Sequence, residues 1–383
     1  MKVCFVCNEY PPGPHGGIGT FTQVLGRALV RAGHEVRVVG HYSPNYPGPD
    51  YEEDQGVRVW RLRGPTSRGR WIWARYRLFR YIARWAKAGE IDLVEVPDYQ
   101  GWAAFWPRLE VPVVARVHSS TMYNASRIGK PISRRDFWLT RQSLCRADFW
   151  AAVSQYAADR AKQFFLLPSP SQAILYNPVE MIAASHQPYN RNLVVFAGTL
   201  NQNKGVISLV KAWTQVIAQY PAAELHLFGK DSTYHGCSMR EHLTLLLPAG
   251  IRPSVIFHGH MPRENLFGAF KLARAAVFPS YSEAFAIVPF EAMACGCPTI
   301  YTKHPPGPEL VEDGVNGLLV DPDNPDEIAD AILRLLQDDN LARRLGEAGR
   351  KLVQEKYSVE AVLPQNIRFY EECIANFQAT RKR

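Results

Sequence analysis

The chain has 383 residues, of which 46% are hydrophobic and 21% charged, and this composition fits a soluble protein of about two domains of ~150 residues each. Its seven cysteines follow no regular pattern, which argues against a disulfide-built scaffold and favours a reducing, cytosolic compartment. The formal net charge is +8, and no apolar run approaches the ~18 residues of a membrane span or has the form of a signal peptide, so neither an integral membrane protein nor a secreted one is expected.

The chain begins with a predicted strand, Lys2–Cys7, followed by a glycine-rich loop and a helix. Cys4 and Cys7 lie inside that strand without a histidine pair or a second C-x-x-C, so we interpret both as core residues rather than redox or zinc ligands. The loop Pro11–Thr20 brings glycines to a helix N-terminus, where backbone amides can approach a phosphate. A tight turn explains the same glycines equally well. A dinucleotide-binding fingerprint is absent, because Thr22 stands at its third glycine position.

The next distinctive segment mixes arginines with aromatic residues, and every charged residue from Arg61 to Lys87 is basic. An amphipathic helix with buried aromatic side chains and solvated arginines is one interpretation. The other is contact with an anionic partner. For this partner an anionic membrane is favoured over nucleic acid, because no nucleic-acid-binding module surrounds the segment.

Short β-branched runs alternate with helical stretches through the first half, as in parallel sheets built from β-α-β units. After the first strand, the predicted strands are Glu35–Gly40, Val57–Leu62, Leu93–Val96, Val113–His118, Phe149–Val153 and Ala173–Tyr176. His118 closes its strand and should therefore lie at the carboxyl edge of the sheet, where ligands bind in this class of fold. A lone histidine can also be purely structural.

The same pattern restarts after residue 191, with predicted strands at Leu193–Ala197, Leu225–Phe228, Val255–His258, Ala275–Phe278, Thr299–Thr302 and Leu318–Val320. A mostly helical region follows from Asp326 to Phe377. Two successive doubly wound units imply a cleft that receives the loops of both. The first loop of this half, Gly198–Gly205, carries Lys204 beside a helix N-terminus, which suits phosphate binding and is equally compatible with a solvated lysine.

The most informative segment is Pro279–Pro298, in which seven residues separate Glu283 from Glu291. Glu283 is predicted in a loop and Glu291 about two turns into the next helix, if Pro289 lies in its first turn. The amides of Phe285–Val288 then lie between two carboxylates. A diphosphate on these amides would place hydroxyl-rich groups at either end, each within reach of one carboxylate. The alternative is a helix-capping glutamate plus a solvated one.

Together these elements resemble the retaining GT-B-fold glycosyltransferases of family 4 (glycosyl transferases group 1) over nearly the whole chain. The most specific part is the E-x7-E motif from Glu283 to Glu291. The supporting motifs are Gly16-Gly17, Gly33-His34-Glu35-Val36, His118-Ser119, Tyr176-Asn177-Pro178, Lys204-Gly205, Glu309-Leu310-Val311 and Gly314-Val315-Asn316-Gly317. The resemblance implies an α/β protein of two Rossmann-like, doubly wound domains: residues 1–185, joined by a C-terminal helix of residues 366–383, on the acceptor side, and residues 186–365 for the nucleotide-sugar donor.

The resemblance also implies the roles of individual residues. Catalytic roles fall to His118, near the reacting end of the sugar, to Lys204 on the diphosphate, and to Glu283 on the sugar hydroxyls. Glu291 would hold the ribose and His260 the nucleobase. The remaining donor-binding residues implied by the family are Gly17, Thr199, Phe285, Ala286 and Ile287, of which Gly17, Ala286 and Ile287 would bind phosphate through their backbone amides.

Family members transfer the sugar with retention of configuration, through an oxocarbenium-like, front-face route in which the leaving phosphate helps to deprotonate the acceptor. Lys204 and helix amides could stabilise the leaving diphosphate, so no metal ion and no cofactor is expected. Asp321-Pro322-Asp323 resembles a metal-binding D-x-D but is predicted to form a turn. Two positions depart from the family: Thr199 replaces a usual arginine and Ala286 a frequent glycine.

The predicted function is transfer of a hexose from UDP-glucose or a similar UDP-hexose to a hydroxyl of a carbohydrate or lipid-linked acceptor, in polysaccharide or glycolipid biosynthesis. The alternatives are a GDP-mannose-dependent mannosyltransferase, a non-catalytic nucleotide-sugar-binding subunit and a dinucleotide-dependent oxidoreductase. Glu95 and Asp98 are candidates for contact with acceptor hydroxyls or, equally, for loop stabilisation. Residues 61–87 predict peripheral contact with an anionic membrane at its cytoplasmic face, and no nucleic-acid partner is expected.

Overall fold

A computed structural model describes residues 1–13, 15–64, 70–118, 133–183 and 189–381. The chain forms two compact units: unit 1 contains Met1–Pro178 and Val359–Arg383, and unit 2 contains Val179–Ser358. The two ends of unit 2 run side by side, because the Val179 amide donates to the Tyr357 carbonyl at 2.8 Å and Val179 forms a parallel bridge with Ser358. Both boundaries therefore lie a few residues before the positions expected from the sequence, 185/186 and 365/366.

Unit 1 is built on a sheet whose strands are β1 (Lys2–Val6), β2 (Glu35–Tyr42), β3 (Tyr51–Asp54), β4 (Val57–Arg63), β5 (Leu93–Pro97), β6 (Val113–Val117), β7 (Phe149–Ala152) and β8 (Ala173–Ile174). The described helices of its first segment are α1 (Gly17–Arg31), α2 (Arg70–Lys87), α3 (Arg134–Arg146) and α4 (Gln155–Phe165). The strand order is β3-β4-β2-β1-β5-β6-β7-β8, and among the described strands of this sheet only the β3–β4 pair is antiparallel. Since β1 pairs with both β2 and β5, the strand order reverses between β1 and β5.

Unit 2 contains a second parallel sheet, formed by β9 (Asn190–Ala197), β10 (Glu224–Phe228), β13 (Val255–Gly259), β14 (Ala273–Phe278), β15 (Thr299–Thr302) and β16 (Leu318–Val320), and a short hairpin of β11 (Thr233–Tyr234) and β12 (Cys237–Ser238). Its described helices are α5 (Val206–Gln219), α6 (Met239–Leu246), α7 (Arg263–Leu272), α8 (Ile287–Ala294), α9 (Gly307–Leu310), α10 (Pro325–Gln337) and α11 (Asp339–Leu352). The order β13-β10-β9-β14-β15-β16 reverses between β9 and β14. Each unit is thus a doubly wound, Rossmann-like sheet with its own reversal point, the place where such sheets bind ligands.

The C-terminal helix α12 (Val359–Arg381) belongs to unit 1. Phe369, Tyr370 and Cys373 of this helix are buried in the same hydrophobic core as Val3 and Phe5 of β1. The last helix of the chain therefore completes the core of the unit in which the chain begins.

The predicted parallel strands are all present, with ends that differ by three residues at most, and the region after Asp326 is helical as expected. The interpretation of Cys4 and Cys7 as core residues is confirmed, because both are fully buried and burial raises the pKa of each thiol to about 12. The strand β3 was not predicted, since Tyr51-Glu-Glu-Asp54 lacks the apolar alternation of a typical strand. Within the described residues, no helix combines the length and the apolarity needed to cross a bilayer.

The expectation of solvated arginines in segment 61–87 is only partly met. Arg61 is buried, donating to the carbonyls of Pro11 and Pro49 and pairing with Glu52 at 2.5 Å. Arg75 is also buried, and it donates to a backbone carbonyl. An arginine side chain combines an apolar stem with five N–H donors, so a buried arginine can hydrogen-bond several loops at once.

Candidate active site

Two loops of unit 2 follow the strands β9 and β14, which flank the reversal point of the sheet. The first is Gly198–Gly205 and the second runs from Pro279 to Ala286. Loops after these two strands leave the same edge of a parallel sheet and must therefore lie side by side. This placement brings together the lysine and the first glutamate of the sequence prediction.

Backbone and side-chain hydrogen bonds lock the two loops to each other. Asn203 donates from Nδ2 to the Ser282 carbonyl at 2.9 Å, and the Tyr281 amide donates to the Asn203 carbonyl at 2.8 Å. Gly205 has a φ of +71°, and a Cβ added there would lie 1.9 Å from the Pro279 carbonyl oxygen. A glycine is required at 205 because both its backbone conformation and the approach of the second loop exclude a side chain.

Lys204 and Glu283 meet across these loops, with 2.5 Å between Lys204 Nζ and Glu283 Oε1. The lysine side chain is 30% exposed and the glutamate side chain 12%, so both can be reached by a ligand. The Lys204 amide is held by the Asn201 side chain at 3.0 Å, which fixes the short turn that carries the lysine. The pair presents one cation and one hydrogen-bond acceptor at the same place.

The helix α8 starts at Ile287, after Ala286, whose side chain makes no capping hydrogen bond. Pro289 is the third helical residue, as the prediction for Glu291 required. The side chain of Phe285 is buried against Phe290, with ring centroids 4.8 Å apart. The sequence placed the backbone amide of Phe285 at the donor diphosphate, and that assignment stays a prediction.

Glu291 is deeply buried, and its Oε1 lies 2.5 Å from Nε of Arg263 on α7. Arg263 also reaches Glu180, with 2.5 Å between Nη1 and Oε2. Burial raises the pKa of Glu291, and the positive charge of Arg263 opposes that effect. Sequence reasoning missed Arg263, since a partner 28 positions away leaves no local pattern.

The remaining predicted donor residues of unit 2 lie at strand ends. Thr199 is exposed directly after Gly198, and His260 is exposed directly after β13. Gly198 and Gly229 directly follow β9 and β10, and Gly259 ends β13. Main-chain hydrogen bonds join them, since the Gly229 amide donates to the Gly259 carbonyl at 2.8 Å and the Gly198 amide donates to the carbonyl at the end of β10. The carboxyl edge beside Lys204 is therefore lined by backbone.

In unit 1, Gly17 is the first residue of α1 and is exposed. A Cβ added at Gly17 would meet no heavy atom of the described residues within 4 Å, so packing does not require a glycine there. Glu9, which sequence reasoning missed, accepts a hydrogen bond from the Gly19 amide at 2.9 Å. The first turn of α1 thus already binds one carboxylate through a backbone amide, as helix N-termini do.

His118 follows β6 and is buried, with its ring edge-to-face on Phe21 at a centroid distance of 4.5 Å. Its amide donates to Asp98 Oδ1 at 3.0 Å, which fixes the end of the strand. Burial, and after it the charge of Arg116, hold the pKa of His118 well below its ordinary 6.5. The imidazole is therefore neutral at pH 7 and can exchange a hydrogen bond with a hydroxyl.

The structure contradicts an acceptor role for Glu95. Its carboxylate is buried and accepts hydrogen bonds from Nε and Nη2 of Arg116, each at 2.8 Å. It also accepts a hydrogen bond from the Tyr370 hydroxyl at 2.7 Å. A carboxylate at the carboxyl end of a strand looked accessible in the sequence, but its partners lie on β6 and α12. Asp98 is buried as well, and its contact with the His118 amide matches the loop-stabilising alternative.

His304 lies beside the Asp321–Asp323 segment of unit 2. Its Nε2 is 3.3 Å from Asp321 Oδ1 and 3.9 Å from Asp323 Oδ2, and within the described ranges this group has ligand atoms placed so that they could hold a metal ion. The segment forms the predicted turn, because the Asp323 amide donates to Asp321 Oδ1 at 2.9 Å. An imidazole with two carboxylates suits a divalent transition metal, although Asp323 is exposed.

Comparison with known proteins places both units in one family. The family model described as Glycosyltransferase Family 4 matches residues 15–181, and the model described as Glycosyl transferases group 1 matches residues 180–352. An uncharacterized glycosyltransferase of Methanocaldococcus jannaschii is 27% identical over 97% of this chain and 98% of its own length.

Solved structures share the fold over nearly the whole chain. Sucrose-phosphate synthase of Thermosynechococcus elongatus has a TM-score of 0.83 at 23% identity and covers 98% of this chain and 100% of its own. Anabaena HepE in complex with UDP and glucose has a TM-score of 0.74 at 18% identity, over 97% of this chain and 99% of its own. The chain therefore belongs to the family 4, group 1 glycosyltransferases and has their GT-B fold.

Proposed function

We propose that this glycosyltransferase moves a hexose from a UDP-hexose to a hydroxyl acceptor with retention of anomeric configuration, without a metal ion or another cofactor. The observation that carries the proposal is the pairing of Lys204 with Glu283, 2.5 Å apart at the reversal point of unit 2. The pair offers a cation for a diphosphate and a carboxylate for sugar hydroxyls at one position.

The donor diphosphate would bind Lys204 and the first amides of α8, at Ala286 and Ile287. The helix dipole favours an anion there, and Ala286 supplies no capping side chain to compete for those amides. As the bond between the sugar C1 and the phosphate oxygen breaks, negative charge grows on the diphosphate, so these groups would stabilise the transition state more than the ground state.

The rest of the nucleotide would extend along the backbone-lined edge towards β13. Glu291 would accept hydrogen bonds from the ribose hydroxyls, and the main chain beside His260 would contact the base. Thr199 is exposed at this edge and stands where the family usually has an arginine. The edge therefore carries one cation fewer than is usual in the family. HepE, which shares the fold and was solved with UDP and glucose, supports testing the uridine donor first.

Unit 1 would supply Gly17 and His118. No atom of the described residues lies within 4 Å of an added Cβ at Gly17, which supports its use for close approach of a phosphate to the α1 amides. The neutral His118 would hydrogen-bond the sugar near C1. The acceptor oxygen then forms its bond to C1 on the face that the phosphate leaves, and the acceptor proton passes to the departing phosphate oxygen.

For the acceptor we propose a carbohydrate or a lipid-linked sugar of polysaccharide or glycolipid biosynthesis, used at the cytoplasmic face of a membrane. The exposed aromatic and basic side chains of α2 support the lipid-linked class. A GDP-mannose donor is the runner-up, and the test below separates the two donors.

The deciding experiment is calorimetric binding of UDP, GDP, ADP and dTDP in buffer containing a chelator, followed by NMR of the product formed from the preferred nucleotide sugar. Selective UDP binding and a product with the donor's anomeric configuration are expected. Selective GDP binding would replace the uridine donor by GDP-mannose. Binding of none of the four by folded protein would contradict the proposed donor site.

The same preparation tests metal independence. Activity should survive the chelator and the substitution His304→Ala. Loss of activity in the chelator, with recovery on adding Mn²⁺ to the wild type but not to His304→Ala, would instead assign a metal site to His304, Asp321 and Asp323.

A further inference from the structure

The helix α2 of unit 1 leaves large apolar side chains in solvent. Ile72, Trp73 and Tyr76 are 58%, 52% and 57% exposed, whereas Leu78 and Ile82 on the opposite side are fully buried. The core thus accounts for one side of the helix. Its other side begins with three bulky side chains that no described part of the chain covers.

The same side of α2 continues as a row of cations. Arg80, Arg84 and Lys87 are exposed, and their spacing of three and four residues after Tyr76 places them on one helical face. The guanidinium of Arg80 lies over the Tyr76 ring, 5.9 Å from its centroid. The face is therefore apolar and aromatic in its first turns and basic in its last turns.

Two further exposed aromatic residues of unit 1 lie outside α2. Phe105 and Trp138 are 58% and 44% exposed, and their ring centroids are 4.9 Å apart. The segments that carry them contact α2, because Arg135 of α3 lies over the ring of Trp71, 5.9 Å from its centroid, and the ring of Trp106 lies 6.0 Å from that of Phe79. We call the exposed residues of α2 together with Phe105 and Trp138 the α2–α3 face.

Charge on this face is of one sign. No acidic residue occurs between Arg61 and Lys87, and the acidic residue nearest in α3, Asp136, is paired with Arg135 at 3.0 Å. Glu90, after the helix, is paired with Arg37 at 2.7 Å. Aromatic rings favour the headgroup level of a bilayer, and long basic side chains reach lipid phosphates while their stems cover apolar surface.

We propose that the α2–α3 face docks the enzyme on an anionic lipid bilayer, with α2 lying in the plane of the interface. Trp73, Ile72 and Tyr76 enter the headgroup region, and Arg80, Arg84 and Lys87 contact lipid phosphates. The proposal deepens the lipid-linked acceptor of the proposed function, and the binding itself requires neither donor nor turnover. Charge complementarity selects an anionic bilayer, because a zwitterionic surface would leave the row of cations uncompensated.

The test is sedimentation of the full-length protein with vesicles of phosphatidylcholine, with and without phosphatidylglycerol. Binding to the phosphatidylglycerol vesicles that weakens with salt is expected. Arg80→Gln/Arg84→Gln/Lys87→Gln should weaken it roughly 100-fold, since each basic residue contributes about fivefold. Trp73→Ser/Tyr76→Ser should weaken it at least tenfold at unchanged charge, because two buried rings are lost.

The matched control is Arg343→Gln/Lys351→Gln/Lys356→Gln, which removes the same charge from exposed residues of unit 2 and should bind vesicles like the wild type. Absence of binding to anionic vesicles would overturn the proposal, and so would an equal loss in the control. A change of oligomeric state in Trp73→Ser/Tyr76→Ser without vesicle binding would show a protein interface instead. Calorimetry of nucleotide binding on each variant distinguishes loss of the donor site from loss of vesicle binding.

Discussion

Arg263 Nε lies 2.5 Å from Glu291 Oε1, so the carboxylate expected to hold the ribose already has a cation beside it. The guanidinium also reaches Glu180 at the start of unit 2, and both contacts orient it. Because Glu291 is buried, an unpaired negative charge there would destabilise the folded protein. The positive charge of Arg263 compensates it and stabilises the ionised carboxylate. We therefore regard Arg263 as a positioning residue for the nucleotide site.

Replacing Arg263 by Gln should weaken UDP binding about tenfold or more, because a hydrogen bond to a charged group is lost. Burial raises the pKa of Glu291, and without the guanidinium that pKa rises further. Since a protonated carboxyl accepts ribose hydroxyls poorly, affinity in the variant should fall at a higher pH than in the wild type. Calorimetry across pH measures this shift. Glu180→Gln is the control, and identical pH curves for wild type and Arg263→Gln would refute the role.

Lys204→Ala should lower kcat/KM for the nucleotide sugar by about 10- to 150-fold, the range for one charged hydrogen bond. The loss should appear mainly in kcat if the lysine acts on the leaving diphosphate. Lys204→Arg retains the charge and should recover part of the activity. A change in KM alone would show that Lys204 binds donor and transition state equally.

Gly17→Ala should reduce turnover while the protein folds normally, because an added Cβ meets no described atom of the chain but would stand where a phosphate approaches. The comparison variant is Gly268→Ala in α7, where an added Cβ likewise has no described heavy atom within 4 Å. Steady-state kinetics of both variants measure the change in turnover, and thermal melting shows whether each variant folds normally. Equal activities would remove Gly17 from the site.

The neutral state of His118 predicts a pH effect on stability. Its pKa is held well below 6.5 by burial and Arg116, so below about pH 6.5 the unfolded chain binds a proton that the folded chain does not. Its contribution to the free energy of unfolding therefore falls as pH decreases, by up to ~1.4 kcal/mol per pH unit. His118→Gln and His118→Phe should both flatten urea-derived stability against pH. An unchanged slope would count against a buried neutral imidazole.

The sequence predicted the parallel strands and the two loops of unit 2 because local features carry them. Runs of β-branched residues mark buried strands, and Gly205 and Glu283 follow strands that turn out to flank the reversal point. Once the order of strands is known, the meeting of Lys204 and Glu283 follows from the parallel geometry.

Contacts between distant segments had no such signal. The sequence predicts Glu95 to be an accessible carboxylate at the end of a strand. In the structure its partners are Arg116 and Tyr370, and Tyr370 lies 275 positions away along the chain. Arg263 likewise lies in an ordinary helix start, and nothing near it in sequence indicates Glu291. Such errors arise where tertiary pairing decides the role of a residue.

The buried pair Arg116–Glu95 gives a further test. Arg116→Met leaves the Glu95 charge without its cation and should cost about 3–5 kcal/mol in urea unfolding of unit 1. Arg368→Met on α12 removes an exposed pair with Glu372 and should cost ~0.5 kcal/mol or less. Equal losses would show that the buried pair contributes no more than a surface one.

The return of α12 to unit 1 also sets an order of events during synthesis. Residue 358 leaves the ribosome before any part of α12, so unit 2 can finish folding while unit 1 still lacks its last helix. Until Asn366 and Tyr370 arrive, the Arg116 side chain lacks two of its hydrogen-bond partners. Domains fold as units, and unit 1, which starts before unit 2 along the chain, is therefore completed after it. A nascent chain arrested before α12 emerges should hold a protease-resistant unit 2 beside a protease-sensitive unit 1.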